Sequence, residues 1–184
     1  MNMGNEQIKN LVAFKPNLAA TSFQIKISLK QNLSVLTLQY SLIGNHTTLI
    51  LPSSKKSPSH KEGLYRHTCF EAFVGGGKTD KYTEFNFSPS GDWCAIFFDN
   101  YRKPSNQQGV EKPNKLLLSP LTLTENSLNL KVVIDLSALK TPPLKLGLST
   151  VLEHSDNSLS YWSLSHGNEK ADFHNSEHWL ELYH

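Results

Sequence analysis

Three segments of this 184-residue chain carry polar and aromatic side chains of kinds that could do chemistry. The first is the run from Ser160 to His166, which sets Tyr161 and Trp162 next to each other. Sugars present flat C–H faces edged with hydroxyls. A sugar site therefore needs an aromatic ring to stack on and planar polar side chains to hydrogen-bond. Trp162 as the stacking platform, with Arg66, Glu84, Asn86 and His166 as polar partners, supplies every required type, and Asp172 and His174 just downstream join the candidate set. The alternative for Trp162 is an ordinary place in the core.

His166, Asp172, His174 and His178 are all capable metal ligands within one short stretch. Their spacing matches no established zinc pattern, and His and Asp also serve as turn and capping groups in loops. A third chemistry is acid–base work by Glu71 or Glu84 with His67. Strand alternation puts Glu71 on one face with Cys69 and Phe73, and puts Tyr82, Glu84 and Asn86 opposite Phe85 and Phe87. Such a face is either a solvated exterior or the floor of a polar site.

Local catalytic signatures are missing. There is no GxSxG elbow, no HExxH, no P-loop and no strand–GxGxxG–helix unit. Gly75–Gly76–Gly77–Lys78–Thr79 lacks the spacing of a phosphate loop and has no helix after it, so it reads as a turn. These absences predict a non-catalytic protein without a cofactor.

The elements that must position these residues follow from a period of two that runs nearly the whole length. Phe23 to Leu29 and Leu36 to Leu42 alternate across a Lys30–Gln31–Asn32 turn, predicting a hairpin. Further strands are predicted at His46–Leu51, Cys69–Val74, Tyr82–Phe87, Trp93–Phe98, Leu116–Leu123, Leu128–Leu136, Leu144–Glu153, Leu159–Leu164 and Trp179–Tyr183. Pro52–Gly63 and Asn100–Asn114 read as long loops, and Asp135–Lys140 as one helical turn at most. About ten short strands predict an all-β fold, an antiparallel β-sandwich of two sheets with jelly-roll or immunoglobulin-like character. One domain over residues 1–184 is expected, with 1–20 partly irregular.

Composition agrees. Only 18% of residues are charged and 38% hydrophobic, a balance that suits alternating strands joined by polar turns. A net charge of +2 offers no field to attract nucleic acid, and the Lys55–Lys56 pair with Lys61 reads as a solvated loop. No run approaches the length of a membrane span, and the first residues lack the pattern of a secretory signal, so a cytoplasmic protein is expected. Cys69 and Cys94 each fall inside a strand and are expected as buried free thiols.

The blocks RHTCFEAF (Arg66 to Phe73) and EFNFSPSG (Glu84 to Gly91), with Tyr161 to His166 and Asp172 to His174, resemble DOMON-like proteins related to family 9 carbohydrate-binding modules. The likeness runs in strand order from about Phe23 to Leu182. It implies a sandwich of two antiparallel sheets and a superfamily whose members bind sugars or haem. Haem-binding members use an axial Met and His, whereas this chain has only Met1 and Met3. The expectation is a binding module for a carbohydrate or other small polar ligand. The alternatives are a metal- or haem-binding domain and an interaction module with no small ligand, its protein partner unspecified.

Overall fold

Period-two patterning produces strands almost throughout. The computed structural model describes residues 6–15, 21–75, 79–106, 116–137, 144–167 and 169–182. Its strands are β1 (Gln7–Ala13), β2 (Gln24–Asn32), β3 (Val35–Ile43), β4 (Cys69–Gly75), β5 (Tyr82–Phe87), β6 (Trp93–Asn100) and β7 (Lys103–Pro104). They continue as β8 (Leu116–Leu118), β9 (Thr122–Leu123), β10 (Ser127–Asp135), β11 (Leu144–Glu153), β12 (Leu159–Ser163) and β13 (Leu180–Leu182). Single 3-10 turns form at His46–Thr48, Leu64–Arg66 and Ser176–His178. Among the described residues no helix is long and apolar enough to cross a membrane. The Gly76–Lys78 part of the glycine turn, most of Asn100–Asn114 and the end of Asp135–Lys140 lie outside the described residues.

The all-β, antiparallel reading holds, and the arrangement of strands differs from the expected two sheets. Among the described residues eleven strands form one hydrogen-bonded path, β7-β6-β5-β4-β11-β12-β1-β2-β3-β10-β8, and two more join it from the side, β13 on β11 and β9 on β10. The joint is β1. Its residues Gln7–Leu11 pair with β2, while Val12 and Ala13 pair with Ser163 and Trp162 of β12. One leaf on either side of β1 contributes to a common core. Tyr40 of β3 has its ring 5.2 Å from Phe70 of β4 and 6.5 Å from Phe87 of β5. Its hydroxyl donates to the Glu71 carbonyl at 2.8 Å.

Two expectations are corrected locally. His46–Leu51 is not a strand: Asn45 caps a 3-10 turn by accepting from the Thr47 N–H, and Leu49 makes only a lone bridge to His154. The amino-terminal segment holds β1, whose one buried side chain is Leu11; Ile8 and Val12 are exposed, which hides the alternation. The Pro52–Gly63 loop is strapped down. Buried Asp92 accepts from the Ser59 N–H at 3.0 Å and pairs with Lys55 at 2.6 Å, and Trp93 exchanges backbone bonds with Ser59 and Lys61. Lys55 is thus an ion-pair partner rather than part of a solvated run. Burial opposes ionisation of Asp92, yet the Lys55 ammonium and the Ser59 donors hold its carboxyl below the usual range.

Candidate functional site on the outer face of one leaf

Register decides which side chains meet. Glu71 lies opposite Ser149 on β11 and opposite Asn86 on β5, and Ser149 lies opposite Ser163 on β12. One step along, Phe70 is opposite Thr150, which is opposite Trp162. Cross-strand partners share a face. Phe70, Thr150 and Trp162 therefore face the core, while Glu71, Ser149 and Ser163 face outward, and Tyr161 goes with the outward set. On β5 and β6 the outward residues are Tyr82, Glu84 and Asn86, with Cys94, Ile96 and Phe98 beside them.

This outward face is not bare. The segment from Leu164 to Trp179 crosses it and is pinned at several points. Trp179 donates from Nε1 to the Phe173 carbonyl at 2.9 Å and packs 5.7 Å from Phe73 and 5.4 Å from Tyr82. It fits only because Gly147 lies beneath it: a Cβ there would come within 2.5 Å of the Trp179 Nε1. Ser165 bonds His178 Nδ1 at 2.8 Å, and His166 Nε2 bonds the Val12 carbonyl at the same distance. Between this cover, the 3-10 turn at Leu64–Arg66 and the β6–β7 turn lies a cavity of about 410 Å³. Its apolar walls include Tyr65, Phe73, Phe98, Tyr161 and Phe173, and its polar groups are Glu71, Glu84, Arg102 and His174.

The polar groups are organised by a chain of donors. The backbone N–H of Arg102 donates to the Tyr82 hydroxyl oxygen at 3.0 Å, and the same hydroxyl is hydrogen-bonded to His174 Nδ1 at 2.7 Å. His174 Nε2 lies 3.7 Å from Glu84 Oε2. Burial and the nearby Arg102 charge push His174 down to about 4, so it is a neutral imidazole at physiological pH. On the other side, Cys69 Sγ–H points at Asn86 Oδ1, and Asn86 Nδ2 donates to Glu84 Oε1 at 2.6 Å. Arg102 does not neutralise the glutamates outright, because its guanidinium is held by Asp172 at 2.9 Å and Asp172 also accepts from Tyr101.

Glu71 and Glu84 are buried on the cavity wall, with 2% and 5% of their surface exposed. Burial raises the Glu71 carboxyl, and repulsion from Glu84 raises it further, against one opposing donation from Ser149 at 2.8 Å. Burial raises Glu84 as well, opposed by Asn86 and by Arg102. A carboxyl kept protonated can donate as well as accept, so this pair offers both halves of a hydrogen bond.

Of the residues expected at a site, Glu84 and His174 line the cavity. Asn86 stands behind Glu84, and Asp172 stands behind Arg102. Three are placed elsewhere. Trp162 is a core residue with 5% exposure, its Nε1 donating to Ser160, so Tyr161 supplies the accessible ring in its place. Arg66 is exposed and lies over the Tyr65 ring at 5.7 Å. His166 packs on Phe14 and Phe173 and ties the crossing segment to β1. Nor do His166, Asp172, His174 and His178 converge. Among the described residues no three of His, Cys, Asp and Glu are placed to hold a metal. His67 pairs with Glu153 at 2.8 Å and does not reach the cavity. Cys69 and Cys94 are buried free thiols.

Sequence reasoning missed Arg102, Phe98 and Phe173. Phe98 was accessible in principle, since it has the same strand parity as Cys94 and Ile96. Arg102 and Phe173 sit in turns, where alternation gives no direction.

No family model matches the chain, and no curated protein sequence matches it. Among solved structures, the fold is similar to that of a "putative carbohydrate-binding protein" from Bacteroides uniformis, with a TM-score of 0.64 at 14% identity, over 94% of this chain and 84% of that one. At that identity the likeness concerns the fold.

Proposed function

We propose that the protein is a binding module, and that the outer-face cavity takes a small polyhydroxylated ligand of the carbohydrate class. The observation that carries this is the cavity itself. Its volume falls in the roughly 300–1,000 Å³ range of small-molecule sites. One wall offers accessible rings at Tyr161 and Phe173, and the floor offers converging donors and acceptors at Glu71, Glu84 and His174. Stacking on a ring while hydroxyls bond to planar polar groups is how a sugar is held. Support also comes from the fold shared with the Bacteroides uniformis protein and from the resemblance of RHTCFEAF and EFNFSPSG to the DOMON-like group.

Calorimetry against a panel of mono- and oligosaccharides tests the reading. A dissociation constant of roughly 10 μM to 1 mM is expected for at least one sugar. Tyr161→Ala should weaken that binding about tenfold, the loss expected for one aromatic contact. If nothing in the panel binds at millimolar concentration, the proposal fails.

A second reading has one observation in its favour. Two buried carboxyls on one cavity wall, both pushed up by burial and one of them also by the other's charge, are the kind of groups an acid–base pair uses. Following a bound sugar by NMR over hours separates the two, since a binding module leaves it unchanged.

A further inference from the structure

Among the described residues, neither carboxyl group of the cavity has a cation of its own. Glu71 receives only the Ser149 hydroxyl, and Glu84 receives the Asn86 amide and faces an imidazole that is neutral. The Arg102 guanidinium at the rim already has a carboxylate partner in Asp172. Among the described residues Arg102 and Asp172 cancel as an ion pair, so ionising Glu71 or Glu84 leaves negative charge without a partner, facing an apolar space ringed by aromatic faces. A buried charge is normally paired. Aromatic faces add attraction for a cation, because each ring presents the negative side of its quadrupole.

We infer that the natural ligand carries a protonated amine which seats between Glu71 and Glu84, so that the site selects amino sugars over neutral and N-acetylated ones. This rests on the carbohydrate reading above and narrows it to a class. The ammonium would take the acceptor positions of the two carboxylates, and the sugar ring would lie toward Tyr161 and Phe173. The titratable and charged groups that share the cavity with Glu71 are Glu84 from β5, Tyr161 from β12, Tyr65 from the 3-10 turn, Arg102 from the β6–β7 turn and His174 from the crossing segment. Cys69 and Tyr40 lie close behind it. Of these, only Glu71 and Glu84 gain by meeting a cation at neutral pH. Since Glu71 holds its proton to about 8 in the empty site, seating an ammonium there must expel that proton.

The experiment is calorimetry of the full chain at pH 6.5 with glucosamine, N-acetylglucosamine, glucose and methylamine, each in two buffers of different ionisation enthalpy. Glucosamine is expected to bind about tenfold or more tightly than the other three, the size of one charge-assisted contact. Its apparent enthalpy should differ between buffers by close to one proton released. Glu71→Gln should abolish the proton release and the preference for glucosamine over glucose, and Glu84→Gln should reduce the preference. A cooperative thermal melt followed by far-ultraviolet circular dichroism shows that each variant is folded. Glucose or N-acetylglucosamine binding as tightly as glucosamine overturns the inference and leaves the carbohydrate reading standing. Methylamine binding as tightly as glucosamine overturns the sugar part of both. Binding by none of the four overturns the inference, whereas another sugar from the wider panel would still sustain the broader reading.

Discussion

Glu71 carries the clearest pH signature in the molecule. Its ordinary value is 4.5, and burial with the Glu84 charge holds it higher in the fold. Between those values the native state keeps a proton that the unfolded chain has lost. Its contribution to stability therefore falls as pH rises from about 4.5 and is most unfavourable above the folded value. Glu71→Gln removes that dependence while keeping the acceptor for Ser149. The variant should gain on the wild type in thermal melts between pH 5 and pH 9, by several degrees at about 2–4 °C per kcal/mol. A gap that stays constant with pH would sink this account. Trp162 behaves in the opposite way. As a core residue it should cost about 3–5 kcal/mol when replaced by Ala, at every pH, measured by denaturant unfolding. The neighbouring Tyr161→Ala should cost far less stability and fall on ligand binding.

At the scale of elements, the cover over the cavity and the strap beside it are separable. Gly147→Ala places a methyl group against the Trp179 indole, with no room for it. It should displace the crossing segment at a cost of about 1–3 kcal/mol and weaken sugar binding, seen together in melts and calorimetry. Asp92→Ala leaves the Ser59 N–H and Lys55 without their acceptor. It should cost about 1.5–3 kcal/mol and expose the Pro52–Gly63 loop to limited proteolysis. These elements also show where the sequence was legible. Strands such as β2, β3 and β10 were readable because every second residue is apolar and buried on one face. That pattern also placed Glu71 with Cys69 and Phe73. It could not place Trp162, because period two says that neighbours point apart without saying which side is the core. Only the pairing of β12 with β11, and of β11 with β4, resolves that choice. The rim residues Arg102 and Phe173 reach the cavity through turns, and their positions follow from contacts between segments far apart in the chain.

At the scale of the whole molecule, one hydrogen-bonded path and one shared core argue against independent leaves. Tyr40 bonded to the Glu71 carbonyl, and core residues drawn from both sides of β1, leave neither leaf a complete interior. Unfolding followed by tryptophan fluorescence, which reports Trp93, Trp162 and Trp179 in one leaf, should coincide with unfolding followed by far-ultraviolet circular dichroism over both. Two separated transitions would show that the leaves are autonomous. The path also means that the cavity borrows its rigidity from the far leaf, since the strand bearing Glu71 is held from behind by Tyr40.

The dual pairing of β1 sets a timetable for assembly. Val12 is bonded to His166, 154 positions later, and pairs with Ser163 of β12. During vectorial synthesis β1 can join β2 as soon as that hairpin partner emerges. Its other half must wait for nearly the whole chain. Until then both the Val12–Ala13 edge and the β12 edge are open ladders, the kind of surface that recruits a second copy. Closure at that distance also carries a large loop-entropy penalty, so folding should be slow for the size of the chain. Refolding by dilution should lose yield steeply with protein concentration, and a peptide spanning Gln7–Ala13 added in trans should compete for that last open seam.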